Sequence, residues 1–224
     1  QRASYGLSPT IRGIGSTLPT SGGEQNVSLY VDNIYYPTPS GNIFDLASVA
    51  GVEVLKGPQG TLFGRNATGG AILVRTLDPG FEMAGRFNVS YDHLKEVRAS
   101  GYVNVPLTDS LAVNAAVAYR YGDGWVRDLL TNRKTNQSDS FTARGKLLYQ
   151  AADDFSLVLT VSHAQLDDIS GTDFRNLQPS ALINLFVPGL TSSSRRISSS
   201  GVDQFLRTQT NEYSARAKWE VGSG

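Results

Sequence analysis

A lysine beside a run of glycines is the first candidate for chemistry in this chain. Residues 51–76 read GVEVLKGPQGTLFGRNATGGAILVRT, with glycine at 51, 57, 60, 64, 69 and 70. Backbone N–H groups freed by glycine can cradle a phosphate, but that cradle needs Gly-Lys-Ser/Thr opening a helix, and Lys56 precedes its glycines instead. The spacing therefore does not support nucleotide binding. Acid–base or nucleophilic catalysis fares no better, because His93 and His163 have neither a carboxylate nor a nucleophile at motif spacing. Asp153-Asp154 and Asp167-Asp168 lack the alternating spacing of a calcium loop. The absence of cysteine removes disulfides, thiolate zinc sites and cysteine nucleophiles together. No catalytic, metal or cofactor constellation emerges, and the expectation is a protein that is not an enzyme.

The glycines read more simply as turns between strands. Val52, Val54 and Leu55 form one β-run, Ala71 to Val74 a second, and glycine and proline between them permit the reversals. Further strands are expected near residues 8–12 and 27–32, separated by the polar segment GIGSTLPTSGGEQ. Residues 43–50 suggest a short helical turn.

Beyond Phe81 the pattern becomes strict alternation. Phe87, Val89 and Tyr91 oppose Arg86, Asn88 and Ser90, and comparable runs follow at 97–105, 111–121, 141–149, 155–163 and 213–221. Each has the length, about nine to eleven residues, that a tilted membrane strand requires. Aromatic residues such as Tyr119, Tyr121, Phe141, Tyr149, Phe155 and Trp219 fall at the ends of the apolar faces, where interfacial girdles belong. Short connectors at 106–110 and 151–154 alternate with long ones at 122–139 and 167–209; the short 94–96 connection is an exception to that order. Twenty basic and twenty acidic residues cancel, which gives no argument for nucleic acid as a partner. A mean hydropathy of -0.21 is compatible with a barrel whose polar and apolar residues alternate.

The order Ile11-Arg-Gly13, then Leu29-Tyr-Val-Asp32-Asn-Ile34, then residues 53–58 (EVLKGP) and 62–70 (LFGRNATGG), resembles the plug domain of TonB-dependent outer-membrane receptors. Where that family usually carries Asp-Gly this chain has Asp32-Asn33, and asparagine tolerates the left-handed turn. The resemblance implies a mainly β fold: a small mixed plug domain over 1–80, followed over 81–224 by antiparallel strands of a transmembrane β-barrel. About six strands are expected, and six cannot close around a plug, so the chain is expected to be a fragment with an incomplete barrel.

By the same resemblance the protein sits in the outer membrane of a Gram-negative bacterium. It imports a scarce small-molecule nutrient, an iron chelate, cobalamin, saccharide or similar. Its partners are the periplasmic TonB energy-transducing protein and outer-membrane lipid, and the TonB box would lie before Gln1. No cofactor is implied. The outward plug loops place Ser16, Thr17, Gln25, Tyr35, Tyr36, Thr38 and Asn42 as ligand contacts, joined from the long barrel loops by Trp125, Arg127, Phe174, Arg175 and Phe186. A plug inside a polar lumen must pair the charge it buries. Arg12, Glu53, Lys56 and Arg65 are expected to meet wall residues such as Arg86, Arg98 and Asn104. The alternatives are a passive porin-like or adhesin-like barrel and a soluble β-rich binding module, since any half-buried sheet alternates.

Overall fold

The structure is a computed structural model and describes residues 9–15, 25–36, 47–64, 66–152, 154–169, 185, 197–198 and 205–221. In chain order the strands are β1 (Thr10–Ile11), β2 (Ile14–Gly15), β3 (Val27–Val31), β4 (Ile34–Tyr36) and β5 (Val49–Lys56). A single helical turn, α1 (Gly60–Phe63), precedes β6 (Gly70–Thr76), β7 (Ala84–Tyr91), β8 (Glu96–Pro106) and β9 (Leu111–Gly122). The remainder are β10 (Val126–Asp128), β11 (Lys134–Thr135), β12 (Ser138–Ala152), β13 (Phe155–Ile169), β14 (Ile197–Ser198) and β15 (Phe205–Trp219).

The glycine-rich stretch supplies the inner strand β6 and the edge strand β5 of a four-stranded sheet ordered β4-β3-β6-β5. Its core is mostly β-branched and aromatic, with one leucine: Leu29, Val31, Tyr36 and Val74, with Ile34, Val49 and Ile72 packed against them. Asp32 and Asn33 both take positive φ, 49° and 70°, so the two-residue turn from β3 to β4 has the backbone signs that match strand twist. Asn33 thus fills the position of the family's usual glycine. Residues 43–46 of the expected helical turn lie outside the described residues, and residues 49–50 belong to β5. The helical turn that is described falls instead at Gly60–Phe63, where the glycines close a tight 3.0 Å bond from Gly64 N to Gly60 O.

The alternating runs form one antiparallel sheet ordered β15-β13-β12-β9-β8-β7, each long strand paired with its neighbour in sequence. Strands β12, β13 and β15 reach 15 residues each, longer than the alternation of apolar residues indicates, because polar residues continue the pairing past the apolar band. The long 122–139 connector is itself partly ordered, as β10 and β11 pair and β10 also takes β14 in parallel.

Burial is inverted relative to a water-soluble sheet. Phe87 and Tyr213 are 76% and 75% exposed, whereas Lys146 and Arg144 are only 4% and 5% exposed. An apolar outer face and a polar covered face are what a barrel wall in hydrocarbon requires. Register aligns Tyr91 and Tyr121, through Val97 between them, near one end of that outer face, and Phe155 with Trp219 at the other. No helix among the described residues is long and apolar enough to cross a membrane.

Candidate functional site

The site is the polar surface between plug and wall, and the strand register sets its levels. Antiparallel pairing puts Asn104 beside Asn114, Asn114 beside Lys146, and Lys146 beside Thr160 on one rung. One step toward the long loops lies Arg86, Tyr102, Ala116, Arg144, Ser162 and Glu212. Two steps further lies Arg98, Arg120 and Ser140. Alternation sends all of these side chains inward.

The lower rung holds the connector from plug to wall. Asn104 donates from Nδ2 to Gly80 O at 2.8 Å and accepts from Gly80 N at 3.0 Å, while Asn114 Nδ2 donates to Leu77 O at 3.0 Å. Lys146, next to Asn114 on the rung, has its ammonium 2.9 Å from Asp32 Oδ2 and 2.9 Å from Asp78 Oδ1, and Arg216 pairs with the other oxygen of Asp78. Asp32 also accepts from Thr76 N at 2.8 Å and Thr76 Oγ1 at 2.6 Å. Burial works against the charged Asp32 carboxylate, but the Thr76 bonds and Lys146 outweigh it and hold its pKa below the usual aspartate value. The plug is therefore clasped to the wall by an ion cluster whose Lys146–Asp32 half is buried and whose Asp78–Arg216 half is partly exposed.

One rung higher the plug contributes Tyr36, whose hydroxyl donates to Glu212. Burial first, and the Glu212 bond second, push the Tyr36 pKa well up, partly opposed by Arg144. Arg86 donates from Nε to Ala47 O at 2.8 Å and lies over the Tyr102 ring at 5.3 Å, a cation–π contact. Arg144 is buried, yet its Nε and Nη1 meet no hydrogen-bond partner among the described residues.

At the upper rung, Arg98 and Arg120 share Glu96: Arg98 pairs with Oε1, and Arg120 Nε stands 3.4 Å from the same atom. Ser138 Oγ lies 3.4 Å from Oε2.

The residues singled out from sequence distribute as follows. Gln25 is buried with both amide atoms unbonded among the described residues. Tyr35 accepts from Asn66 Nδ2 at 2.9 Å and packs on Tyr30, ring centres 5.4 Å apart. Trp125 is half-buried beside β10, and exposed Arg127 donates to Asn132 Oδ1 at 2.8 Å. Ser16, Thr17, Thr38, Asn42, Arg65, Phe174, Arg175 and Phe186 lie outside the described residues. Arg12 sits exposed in a left-handed turn at φ 50°, and Lys56 is exposed at the end of β5. Arg86 reaches from wall to plug, whereas Arg98 pairs within the wall and Glu53 pairs with Arg75 within the plug sheet.

Sequence reasoning did not single out Asp32, Asp78, Lys146, Arg216 or Glu212. Alternation does put Arg144 and Lys146 on the inward face, but nothing local tells which rung meets the plug. Because Glu53 and Arg75 are both exposed, Glu53→Ala is expected to change stability by less than about 1 kcal/mol. Protease resistance of the plug in detergent checks this, and a large loss would point to a buried role for Glu53.

Residues 1–71 match the family model described as the TonB-dependent Receptor Plug Domain. The pesticin receptors of Yersinia enterocolitica and Yersinia pestis are 34% identical over 98 residues, covering 43% of this chain and 14% of each relative. This chain thus spans about a seventh of the length of the curated relatives it matches. The crystal structure of the ferric yersiniabactin uptake receptor of Yersinia pestis superposes with a TM-score of 0.77 at 21% identity, covering 96% of this chain and 32% of that one. The ferripyoverdine receptor of the outer membrane of Pseudomonas aeruginosa does so at 0.71 and 18%, covering 96% and 27%. Residues 1–71 are thus similar to a TonB-dependent receptor plug domain, and the chain shares the fold of the matching part of these receptors.

Proposed function

We propose that this plug and the wall strands that follow it belong to an outer-membrane active-transport receptor, which binds a scarce nutrient outside the cell and imports it with energy from the TonB protein. The observation that carries the reading is the covered polar face: Asp32, Tyr36 and residues 77–80 seat the plug on Lys146, Glu212, Asn104 and Asn114. A passive pore would leave that face to water. The short turns of the wall then face the periplasm and the ribbon of β10, β11 and β14 faces outward. Trp125, Arg127 and Tyr35 are the described candidates for cargo contact. The ferric yersiniabactin and ferripyoverdine named for two structural neighbours favour an iron chelate among the nutrients considered.

The test is growth of a deletion strain on single limiting nutrients, with and without the TonB protein. Loss of growth on one nutrient, restored by the receptor gene where TonB is present and not where it is absent, is the expected result. Uptake that continues unchanged without TonB would overturn it.

A further inference from the structure

We propose that the upper rung formed by Arg98, Glu96 and Arg120 binds anionic cargo, a metal chelate or other ligand presenting several carboxylate or catecholate oxygens. The proposal rests on the import reading above and names the charge class of what is imported.

The argument is one of unbalanced charge. Along the inward face from the level of Glu96 down to the Tyr36 contact, the described charged side chains of the wall are four arginines, Arg86, Arg98, Arg120 and Arg144, and three carboxylates, Asp92, Glu96 and Glu212. Glu212 is engaged by Tyr36, and Arg86 is held on Ala47 O and Tyr102. Arg98 and Arg120 stand directly opposite each other across β8 and β9. Like charges in that position repel, so the pair is a cost to the sheet.

Glu96 answers one charge, not two. Its Oε1 serves both guanidiniums, and Arg120 Nε is held only at 3.4 Å. Asp92, in the turn beside Arg98, adds its charge to that of Glu96 at a distance, but its Oδ1 is directed at backbone, accepting from Leu94 N at 2.8 Å and Glu96 N at 3.2 Å, and it forms no ion pair with either arginine among the described residues. The two arginine side chains remain 48% and 38% exposed, so their free N–H edges are open to the lumen. Planar guanidiniums match bidentate oxygen ligands, and a concave face lined by one sign of charge focuses their field.

A second observation points the same way. Arg144 lies two rungs below Arg120, roughly 14 Å along the strands at about 3.4 Å per residue. It is 95% buried by its 5% exposure, with Nε and Nη1 unpartnered among the described residues. Buried guanidinium donors without acceptors are costly and rare. Tyr36 of the plug reaches this same rung at Glu212, so departure of the plug opens the rung as a second anion station below the first.

The experiment uses the intact receptor in detergent with two probes of similar size, trianionic ferric tris-catecholate and neutral ferric tris(acetohydroxamate). Wild type is expected to prefer the trianion, with affinity that falls as salt is raised. In Arg98→Gln/Arg120→Gln the trianion should bind about tenfold or more weakly, with the neutral chelate unchanged, and Arg98→Lys/Arg120→Lys should retain most of the preference. Equal binding of both probes by wild type, or a loss below about twofold in the Gln pair, overturns the proposal. Should the Gln pair fail to fold, Arg98→Gln alone, at the more exposed arginine, and the salt dependence of wild type decide. A Gln-pair receptor that restores TonB-dependent growth with unaltered probe selectivity keeps the transport reading and loses the anion site. A receptor that binds the trianion through these arginines but restores no growth keeps the site and loses the transport reading.

Discussion

Lys146→Met is expected to loosen the plug from the wall by about 3–5 kcal/mol, the cost of leaving a buried charge without its counter-ion. Lys146 is 2% exposed at its side chain and the only cation within ion-pair distance of Asp32 among the described residues. Asp78 keeps Arg216 and is itself less buried, so the penalty falls on Asp32. Hydrogen exchange in β3, β4 and β6 reads the effect directly, as protection lost by a factor on the order of a hundred or more.

The pH dependence separates loss of charge pairing from loss of packing. Asp32 has a lowered pKa in the folded protein, so its contribution is fully present above the ordinary aspartate value and is lost as pH falls through the folded value. Without Lys146 that pKa rises, and protonation makes the unpaired group tolerable. The defect of Lys146→Met should therefore shrink between about pH 7 and about pH 4, and Asp32→Asn should partly rescue it at neutral pH. Exchange identical to wild type at both pH values would show that the cluster does not hold the plug.

Much of the wall was legible in advance because alternation is a local property. Runs such as residues 111–121 state both a strand and its two faces, and the exposed Phe87 and Tyr213 lie on the face read as apolar. The Asp32-Asn33 turn was legible for a similar reason, since few residues tolerate two successive positive φ values. The clasp was not. Asp32 and Lys146 come together only when one sheet docks on another, and no pattern within either strand sets the rung.

Arg98 and Arg120 illustrate an intermediate case. Both fall on the inward parity of their runs, but their opposition depends on the register fixed by the 107–110 turn. Tyr36 shows the opposite difficulty. Its neighbourhood of Pro37, Thr38 and Pro39 reads as a ligand-facing loop, yet its hydroxyl reaches Glu212 on β15. Aromatic residues with a polar tip suit either a binding loop or a buried seam, and local composition does not choose between them.

The second large effect lies in the glycine-rich stretch. Gly70→Ala is expected to cost about 3–5 kcal/mol, combining a left-handed backbone penalty with overpacking. Gly70 has φ 143°, and an added Cβ would overlap the Leu55 carbonyl oxygen and stand 2.8 Å from Ile11 Cδ1. Neither neighbour can easily yield. Leu55 belongs to β5, which pairs with β6 along its length, and Ile11 is buried beneath the same sheet. Gly57→Ala provides the comparison, because its φ is 91° but nothing lies within 4 Å of the added Cβ. That variant should cost only the backbone penalty, about 1–3 kcal/mol. Resistance of the plug to protease should fall much further for Gly70→Ala than for Gly57→Ala. Equal losses would mean that the close approach of β6 to β5 and β1 is unimportant, and that these glycines serve the turns alone. A larger loss at Gly70 would make it a packing glycine, required because the plug's central strand has no room for a side chain where it enters the sheet.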